Sequence, residues 1–280
     1  HRGHRELLGH LDPGMNRTVL TFDPHPVEVL RPGTPPRLLT TIEERVALLD
    51  ELGVETVGVL DLSEIKDLAA EDFVRDVLVA GLGVGHLVVG EDFRFGRDRT
   101  GDVGLLARLG AELDFRVETI GLVAMDGQPV SSSRIRALVE AGDVAAAGDL
   151  LGSWFRMENE VVHGDERGRV LGFPTANLRP PGRKVVPANG VYSCFAVVDG
   201  HRHDAAVNVG VRPTFGGGEL LVEAHLLDFD GDLYGHRLEL EFVGYTRPEL
   251  SFSSVEELVA RMGEDVALTR EVLAGARSRM

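Results

Sequence analysis

The first half of the chain contains three short β-branched or aliphatic stretches: Thr18-Val-Leu-Thr-Phe22, Thr56-Val-Gly-Val-Leu60 and His86-Leu-Val-Val89. Each is typical of a strand, because each ends near a glycine, an aspartate or a turn. Two segments between them, Ile42–Leu52 and Ala70–Val79, repeat apolar residues at helical spacing. Strands that alternate with helices form βαβ units, so we predict an α/β domain with a parallel sheet. Ligands of such sheets bind at the carboxyl ends of the strands.

From Phe155 onward the chain changes to strand-like stretches at short spacing, divided by clusters of glycine, proline and aspartate. This pattern predicts a small antiparallel β-barrel or sandwich. An amphipathic helix is predicted to follow over Ser254–Ala274. We place the boundary between the two domains after Ser153, which gives domains of residues 1–153 and 154–280. The predicted strands of the second domain are Arg156–Val162, Val191–Val198, Ala205–Val209, Leu220–Leu227 and Arg237–Phe242.

The composition excludes several classes of protein. With 29 lysines and arginines against 45 aspartates and glutamates, the formal net charge is −16, which argues against a nucleic-acid-binding protein. The single cysteine, Cys194, excludes an intramolecular disulfide framework. No apolar run approaches the ~20 residues that span a bilayer, and no signal-peptide pattern is present. We therefore expect a cytoplasmic protein with small-molecule partners and with neither a nucleic-acid nor a membrane partner.

Two histidines begin the chain at a spacing that favours phosphate binding. His1 and His4 lie three residues apart at the start of a predicted helix over Gly3–Leu11, so they share one face. The free backbone N–H groups of a helix N-terminus add to an anion site of this kind. A solvated terminus or the remnant of a purification tag is the alternative interpretation.

Further candidate contacts to a nucleotide lie in two other segments. Ser132, Ser133 and Arg136 offer hydroxyls and a guanidinium at a predicted helix start, a combination that suits phosphate. An ordinary serine cap with solvated arginines is the alternative. Asp92 and Phe93 follow the third predicted strand and offer a carboxylate and an aromatic face. The alternative for Phe93 is a place in the hydrophobic core.

The most informative stretch of the second half is Gly172-Phe-Pro-Thr175-Ala-Asn177. Its proline fixes a bend that projects the Thr175 hydroxyl and the Asn177 amide oxygen, and Mg²⁺ prefers such oxygen ligands. Glu223 alternates with apolar residues along a predicted strand and could act as a base toward a substrate hydroxyl. A buried turn and a solvated edge strand are the respective alternatives.

Taken in order along the chain, these segments resemble the bacterial bifunctional riboflavin kinase/FMN adenylyltransferase family, also called FAD synthetase. The resemblance covers essentially the whole chain, and Gly-Phe-Pro-Thr-Ala-Asn is highly specific to the kinase module of that family. The segments that carry the resemblance are His1-Arg-Gly-His4, Thr21-Phe-Asp-Pro-His-Pro26, Gly90-Glu-Asp-Phe-Arg-Phe-Gly96, Ser131-Ser-Ser-Arg-Ile-Arg136, Gly172-Phe-Pro-Thr-Ala-Asn177 and Glu223-Ala-His-Leu-Leu-Asp-Phe229.

The resemblance implies two modules. The Rossmann-like N-terminal nucleotidyltransferase module would form FAD and pyrophosphate from FMN and ATP. By this resemblance His1 and His4 would stabilise the phosphates of ATP, while Ser132, Ser133 and Arg136 would bind the triphosphate from the far side. Phosphoryl-group chemistry needs mainly positioning and charge neutralisation, which both sets of residues supply.

The resemblance also assigns the barrel and the segment after the third strand. The C-terminal barrel would form FMN and ADP from riboflavin and ATP. There Thr175 and Asn177 would hold Mg²⁺–ATP, and Glu223 would be the base for the ribityl 5′-hydroxyl. Asp92 and Phe93 lie in the segment where the family binds nucleotide and flavin.

Three departures from the family pattern leave alternatives open. The first strand and the Gly-x-Phe-Asp-Gly stretch that precede the first histidine in the family are not present before His1, and the run from His4 to Thr21 is several residues shorter. Asn159 and Glu160 replace a glycine and an apolar residue. We therefore expect the chain to make FMN readily and FAD poorly. A kinase-only paralogue and a non-catalytic flavin-binding protein remain alternatives, and a nucleotidyltransferase with another substrate would not explain the barrel.

Overall fold

The computed structural model describes residues 1–30, 33, 35–164, 168, 171–214 and 217–278. The chain divides into two compact units, His1–Ser131 and Ser132–Met280. The division lies before two helices, α7 (Ser132–Glu140) and α8 (Val144–Leu151), which group with the second unit. Whether residues 154–280 fold independently stays a prediction.

The first unit contains two pairs of parallel strands among its described residues. Strand β1 (Thr18–Phe22) pairs with β2 (Thr56–Leu60), and β3 (His86–Gly90) pairs with β4 (Arg116–Ile120). The α/β class and the first three strands are confirmed. Strand β4 was not predicted, because its charged residues at Arg116 and Glu118 interrupt the aliphatic pattern.

Helices connect the strands of the first unit and cover its core. The core includes Val74, Leu106 and Leu109, which have no exposed surface. A π-helical segment, Phe73–Gly81, continues the helical turn that begins at Ala70. The helices are α1 (Arg2–Gly9), α2 (Pro26–Leu30), α3 (Ile42–Asp50), α4 (Leu62–Ile65), α5 (Ala70–Asp72) and α6 (Val103–Leu113); a 3₁₀ turn at Arg97–Arg99 and the short strands β5 (Ala124–Met125) and β6 (Gln128–Pro129) complete the unit.

In the described part of the second unit, six antiparallel strands close into a barrel in the order β10-β11-β8-β7-β12-β9. The barrel alternative is therefore confirmed over the sandwich. Alternate residues of β11, Val222, Ala224 and Leu226, are buried and face the barrel interior, since side chains alternate across a strand. The strands are β7 (Phe155–Val162), β8 (Ala176–Leu178), β9 (Gly190–Val198), β10 (His201–Thr214), β11 (Gly217–Leu226) and β12 (Arg237–Arg247).

The C-terminal helix α9 (Val255–Arg277) packs against β9, β10 and β12. Its first turn is capped by the Ser254 hydroxyl, which accepts from the Glu257 backbone N–H. A buried ion pair joins Arg247 of β12 to Asp265 of α9 at 2.6 Å. None of the helices in the described part of the chain combines the length and apolarity that crossing a membrane requires.

The packing of α8 predicts how the second unit responds to truncation. Helix α8 packs on β7 and β12, and its Val144, Ala147 and Leu150 side chains are buried. Burying one such valine or leucine contributes about 1.5–3 kcal/mol. A fragment of residues 132–280 should therefore be more stable than one of residues 154–280 by about 3–6 kcal/mol, measured by urea unfolding. Equal urea midpoints would show that α8 contributes nothing to the barrel.

Candidate active sites

The antiparallel register of the barrel places Glu223 directly opposite Asn177. Because Ala224 and Val222 face the interior, both polar side chains lie on the outer side of the barrel wall. Side chains directly opposite one another in such a pair have Cβ atoms roughly 4.5–5.5 Å apart. Asn208 of β10 lies opposite Glu223 on its other side. The structure thus brings together two of the predicted kinase residues and adds a third polar side chain to the row.

Asn177 is buried although it lies on the outer face of the sheet. Its side chain is 4% exposed, and its Nδ2 donates to the Thr175 carbonyl oxygen at 3.3 Å. Its Oδ1 is buried and has no hydrogen-bond partner among the described residues. Buried polar atoms are rarely left unsatisfied, so within the described part of the chain this oxygen is open to a donor or a cation.

The oxygen ligands at this site fit Mg²⁺. The Asn177 amide oxygen and the neighbouring Thr175 hydroxyl are hard, neutral oxygens, and Mg²⁺ takes few protein ligands and completes its shell with water and phosphate. Within the described ranges, no group of three or more His, Cys, Asp or Glu side chains is arranged to hold a metal ion. A cation here would therefore depend on neutral oxygens and on phosphates of a nucleotide.

The bend before Asn177 is held by a residue on the neighbouring strand. The Nδ1 of His225 lies 2.8 Å from the carbonyl oxygen of Pro174; because a carbonyl can only accept, Nδ1 carries the proton. The same imidazole meets the Phe173 ring edge-on, with the ring centres 5.4 Å apart. His225 thus fixes the Gly-Phe-Pro-Thr bend, a role that the alternation of β11 alone does not reveal.

A glycine on the other side of Asn177 leaves room for its side chain. A Cβ atom placed on Gly164 would lie 2.4 Å from Asn177 Nδ2, closer than atoms in contact can approach. Beside it, the rings of His163 and Tyr234 stack with their centres 3.8 Å apart. The backbone at Gly164 therefore lies directly against the buried amide.

The two histidines of the first unit lie at the start of α1, which begins one residue earlier and ends two residues earlier than predicted. His1 is the N-cap, and its Nδ1 accepts from the His4 backbone N–H at 3.2 Å. The two imidazole rings stack with their centres 3.8 Å apart. Because Nδ1 of His1 accepts, the proton of the neutral ring is on Nε2. The predicted shared face of the two histidines is confirmed.

The surroundings of His4 disfavour the protonated, positively charged form of its imidazole. Desolvation by the surrounding protein lowers the pKa of His4 to about 4, and the positive charges of the His1 amino group and then of Arg45 act in the same direction. His4 is therefore neutral at pH 7 and offers a hydrogen bond rather than a charge. The role of His1 and His4 toward the phosphates of ATP stays a prediction.

Arg45 is a cation near this site that the sequence patterns did not single out. It lies on α3, and its Nη1 donates to the Thr21 hydroxyl at 2.6 Å and to the Phe22 carbonyl at 3.4 Å. These contacts place the guanidinium at the carboxyl end of β1, where parallel sheets bind ligands. The only sequence signal was its position in the helix after the first strand.

The remaining predicted residues occupy two places. Ser132, Ser133 and Arg136 lie in the first turns of α7, in the second unit. Ser133 is exposed, while Ser132 and Arg136 are half-buried. Helix α7 begins at Ser132, so its free N–H groups lie among the serines. Their convergence with the histidines on one ATP stays a prediction.

Asp92 and Phe93 follow β3 directly. Asp92 is exposed, whereas Phe93 packs partly against the core of the first unit and stacks with Phe95 at 5.6 Å between ring centres. Phe95 itself is 7% exposed and belongs to the core of the first unit. The roles of Asp92 and Phe93 toward nucleotide and flavin stay predictions.

Comparisons with known proteins match both units. The family model for FAD synthetase matches residues 1–134, and the family model for riboflavin kinase matches residues 151–273. The chain is 40% identical to a bifunctional riboflavin kinase/FMN adenylyltransferase from Pseudomonas fluorescens, over 100% of this chain and 91% of the relative. It is 38% identical to the protein of the same description from Escherichia coli K12, over 97% of this chain and 88% of the relative.

A solved structure shares the fold over nearly the full length. It is described as a macrolide-efflux protein from Streptococcus pneumoniae, with a TM-score of 0.87 and 31% identity, covering 96% of this chain and 90% of that one. The two family models together span both units, and the relatives match along the whole chain. The chain therefore belongs to the bifunctional riboflavin kinase/FMN adenylyltransferase family.

Proposed function

We propose that the barrel carries the kinase reaction, in which riboflavin and ATP give FMN and ADP, at the site formed by Thr175, Asn177 and Glu223. The buried Asn177 Oδ1, which has no partner among the described residues, is the observation that carries the proposal. It lies opposite the Glu223 carboxylate across one strand pair. An acceptor oxygen for the metal–nucleotide and a base for the substrate thus share one patch of the barrel wall.

The Mg²⁺ of the nucleotide would be held by Asn177 and Thr175, and when bound it would offset the negative charge of the phosphates. Glu223 accepts the proton of the ribityl 5′-hydroxyl as that oxygen forms its bond to the γ-phosphorus and the bond to ADP breaks. A positioned carboxylate base contributes typically 10²–10⁴-fold to the rate. His225 keeps the metal-binding bend in place through its contact with the Pro174 carbonyl.

The first unit would carry the second reaction, in which FMN and ATP give FAD and pyrophosphate. An FMN phosphate oxygen attacks the α-phosphorus of ATP, and pyrophosphate leaves. His1 and His4 would donate hydrogen bonds to the phosphates, and Arg45 at the carboxyl end of β1 would supply positive charge. Stabilisation of charge at the α-phosphorus is the main catalytic effect, since this mechanism uses no protein nucleophile.

Ser132, Ser133 and Arg136 are proposed to bind the triphosphate, and Asp92 with Phe93 to contact nucleotide or flavin. The match of both family models gives no support to a kinase-only paralogue or to a non-catalytic flavin-binding protein. Riboflavin, FMN and ATP are the small-molecule substrates. A cytoplasmic location, and action without nucleic-acid or membrane partners, stay predictions.

Glu223→Gln tests the base of the kinase reaction. The amide keeps the shape of the side chain but cannot accept the proton, so FMN formation from riboflavin should fall by about 10²–10⁴-fold. Conversion of FMN to FAD should be unchanged. The measurement is chromatographic separation of riboflavin, FMN and FAD with Mg²⁺–ATP. Glu158→Gln, which removes a carboxylate paired with Arg237 on the same barrel, is the matched control; a Glu223→Gln rate within a fewfold of wild type would remove Glu223 as the base.

Gly164→Ala tests the buried amide. The added Cβ would displace the Asn177 side chain, so the KM for Mg²⁺–ATP in the kinase reaction should rise about tenfold or more, since sub-ångström placement of such groups matters. Adenylylation of FMN should not change. Gly263→Ala is the control, because a Cβ there meets nothing within 4 Å. An unchanged KM in Gly164→Ala would contradict the site.

His4→Ala tests the adenylylation site. Loss of one phosphate donor should lower FAD formation from FMN by about 10²–10³-fold, while FMN formation from riboflavin stays at the wild-type rate. His4→Gln keeps a donor and should recover part of the loss, because neutral His4 acts through a hydrogen bond. If His4→Ala forms FAD as fast as wild type, the histidine pair has no part in the reaction.

A further inference from the structure

We propose that His10 and Glu118 are positioning residues for adenylyl transfer: their contact fixes the C-terminal end of α1, and thereby the two histidines at its other end, against β3 and β4. The inference rests on the proposed role of His1 and His4. It concerns residues outside every segment that carries the family resemblance.

Helix α1 has only a weak apolar anchor, formed by the half-buried Leu7 and Leu8. None of its eight residues, all of which the structure describes, is buried. A helix of two turns is unstable in isolation and depends on tertiary contacts. Its main contact with the rest of the unit is with β3. The direction of α1 therefore depends in part on the polar contacts at its ends.

The polar contact lies at the end opposite the histidine pair. His10 is the C-cap of α1, and its Nδ1 lies 2.6 Å from Glu118 Oε1 on β4. Its Nε2 lies 3.4 Å from Glu6 Oε1 on α1 itself. The imidazole thus connects the helix to the neighbouring sheet.

Glu118 is held in turn by Arg116 on its own strand and lies near His86 on β3. Its Oε2 accepts from Arg116 Nη2 on β4 at 2.6 Å and lies 3.3 Å from His86 Nε2 on β3. The His86 side chain is only 6% exposed and that of Glu118 22%. This carboxylate therefore joins α1 to β4, whose backbone is fixed by pairing with β3.

The charges around His10 favour its protonated form. Glu118 and then Glu6 raise the pKa of His10 above its ordinary value, and His10 is the largest cause that lowers the pKa of Glu118. The groups that face this contact are Glu6 from α1, Glu118 and Arg116 from β4, and His86 from β3. Because the pKa of His10 is raised in the folded protein, the stabilisation from this ionic contact is fully present below the pKa that His10 has in the unfolded chain. It is lost as the pH rises through the pKa that His10 has in the folded protein.

A loosened C-terminal end displaces the catalytic end. Eight helical residues span about 12 Å. A small rotation of the helix about its end at His10 therefore displaces the side chains of His1 and His4 at the other end. Misplacing a catalytic group by about 1 Å costs on the order of 10²-fold in rate. The contact should therefore act on the turnover of adenylyl transfer and not on the kinase reaction.

The test compares His10→Ala, His10→Gln and Glu118→Gln in the full chain. Steady-state kcat and KM are measured for FMN-to-FAD and for riboflavin-to-FMN conversion between pH 6 and 9, together with thermal unfolding. We expect His10→Ala and Glu118→Gln to lower the kcat of adenylyl transfer by about 10–100-fold. The kinase constants should not change.

His10→Gln separates hydrogen bonding from charge. It should recover most of the lost kcat. We expect wild-type adenylyl transfer to decline at high pH as His10 loses its proton, and this decline should be absent in His10→Gln. Glu112→Gln, which removes an exposed carboxylate paired with Arg75 on another face of the unit, should match wild type in every measurement.

Three results would overturn the inference. They are a His10→Ala kcat within twofold of wild type, the same pH profile in wild type and His10→Gln, or a loss of activity that coincides with unfolding of the first unit. If wild type makes FAD and His4→Ala does not, while His10→Ala matches wild type, only the positioning role fails. If wild type makes no FAD, or His4→Ala matches wild type, the proposed adenylyl-transfer site itself fails.

Discussion

The pairing of the three-residue strand β8 with β11 is the constraint on which the second unit depends. This pairing and the contact of β8 with β7 close the barrel. The same register buries Ala176 and Leu178 in the interior and leaves Asn177 on the outer face opposite Glu223. Because side chains alternate with a period of two, a slip of one residue would exchange these faces. Barrel closure and the assembly of the candidate kinase site are therefore one event.

Burial of Asn177 makes the site costly to the free protein. A buried polar atom without a partner costs about 1–3 kcal/mol, and the Oδ1 of Asn177 is such an atom within the described chain. A ligand that satisfies this oxygen recovers that free energy on binding. Gly164, whose missing Cβ makes room for the amide, belongs to the same arrangement. The barrel thus holds this acceptor oxygen in place before any ligand binds.

The sequence predicted the parts of the fold in which apolar pattern and structure coincide. Strands β1 and β2 have the predicted bounds. A short aliphatic run bounded by turn residues is too short for a helix and is most stable as a buried strand. Strand β8 escaped prediction since three residues after a proline are too few to show alternation. Strand β4 escaped because its charged residues serve the contact with α1 rather than the core.

The candidate site residues could be predicted where a motif is local. Thr175, Asn177 and Glu223 are found in segments whose spacing already indicates oxygen ligands and a carboxylate. Arg45 and His225 were not assigned roles, because their partners, Thr21 and the Pro174 carbonyl, lie far away in sequence. Such contacts depend on strand order and helix placement, which a linear pattern does not contain.

The two candidate sites position their functional side chains by different means. Both must do so by direct contacts, because the chain as a whole is strongly negative. A chain of net charge −16 does not attract ATP by its overall field. Charges farther apart than about 8 Å are largely screened at physiological ionic strength, so affinity must come from groups in direct contact. In the barrel those groups are strand residues, positioned by backbone pairing. In the first unit the candidate donors His1 and His4 lie on a short helix whose other end contacts Glu118 through His10. If that contact positions the helix as proposed, salt and pH would change the geometry of the candidate adenylylation site more than that of the barrel site.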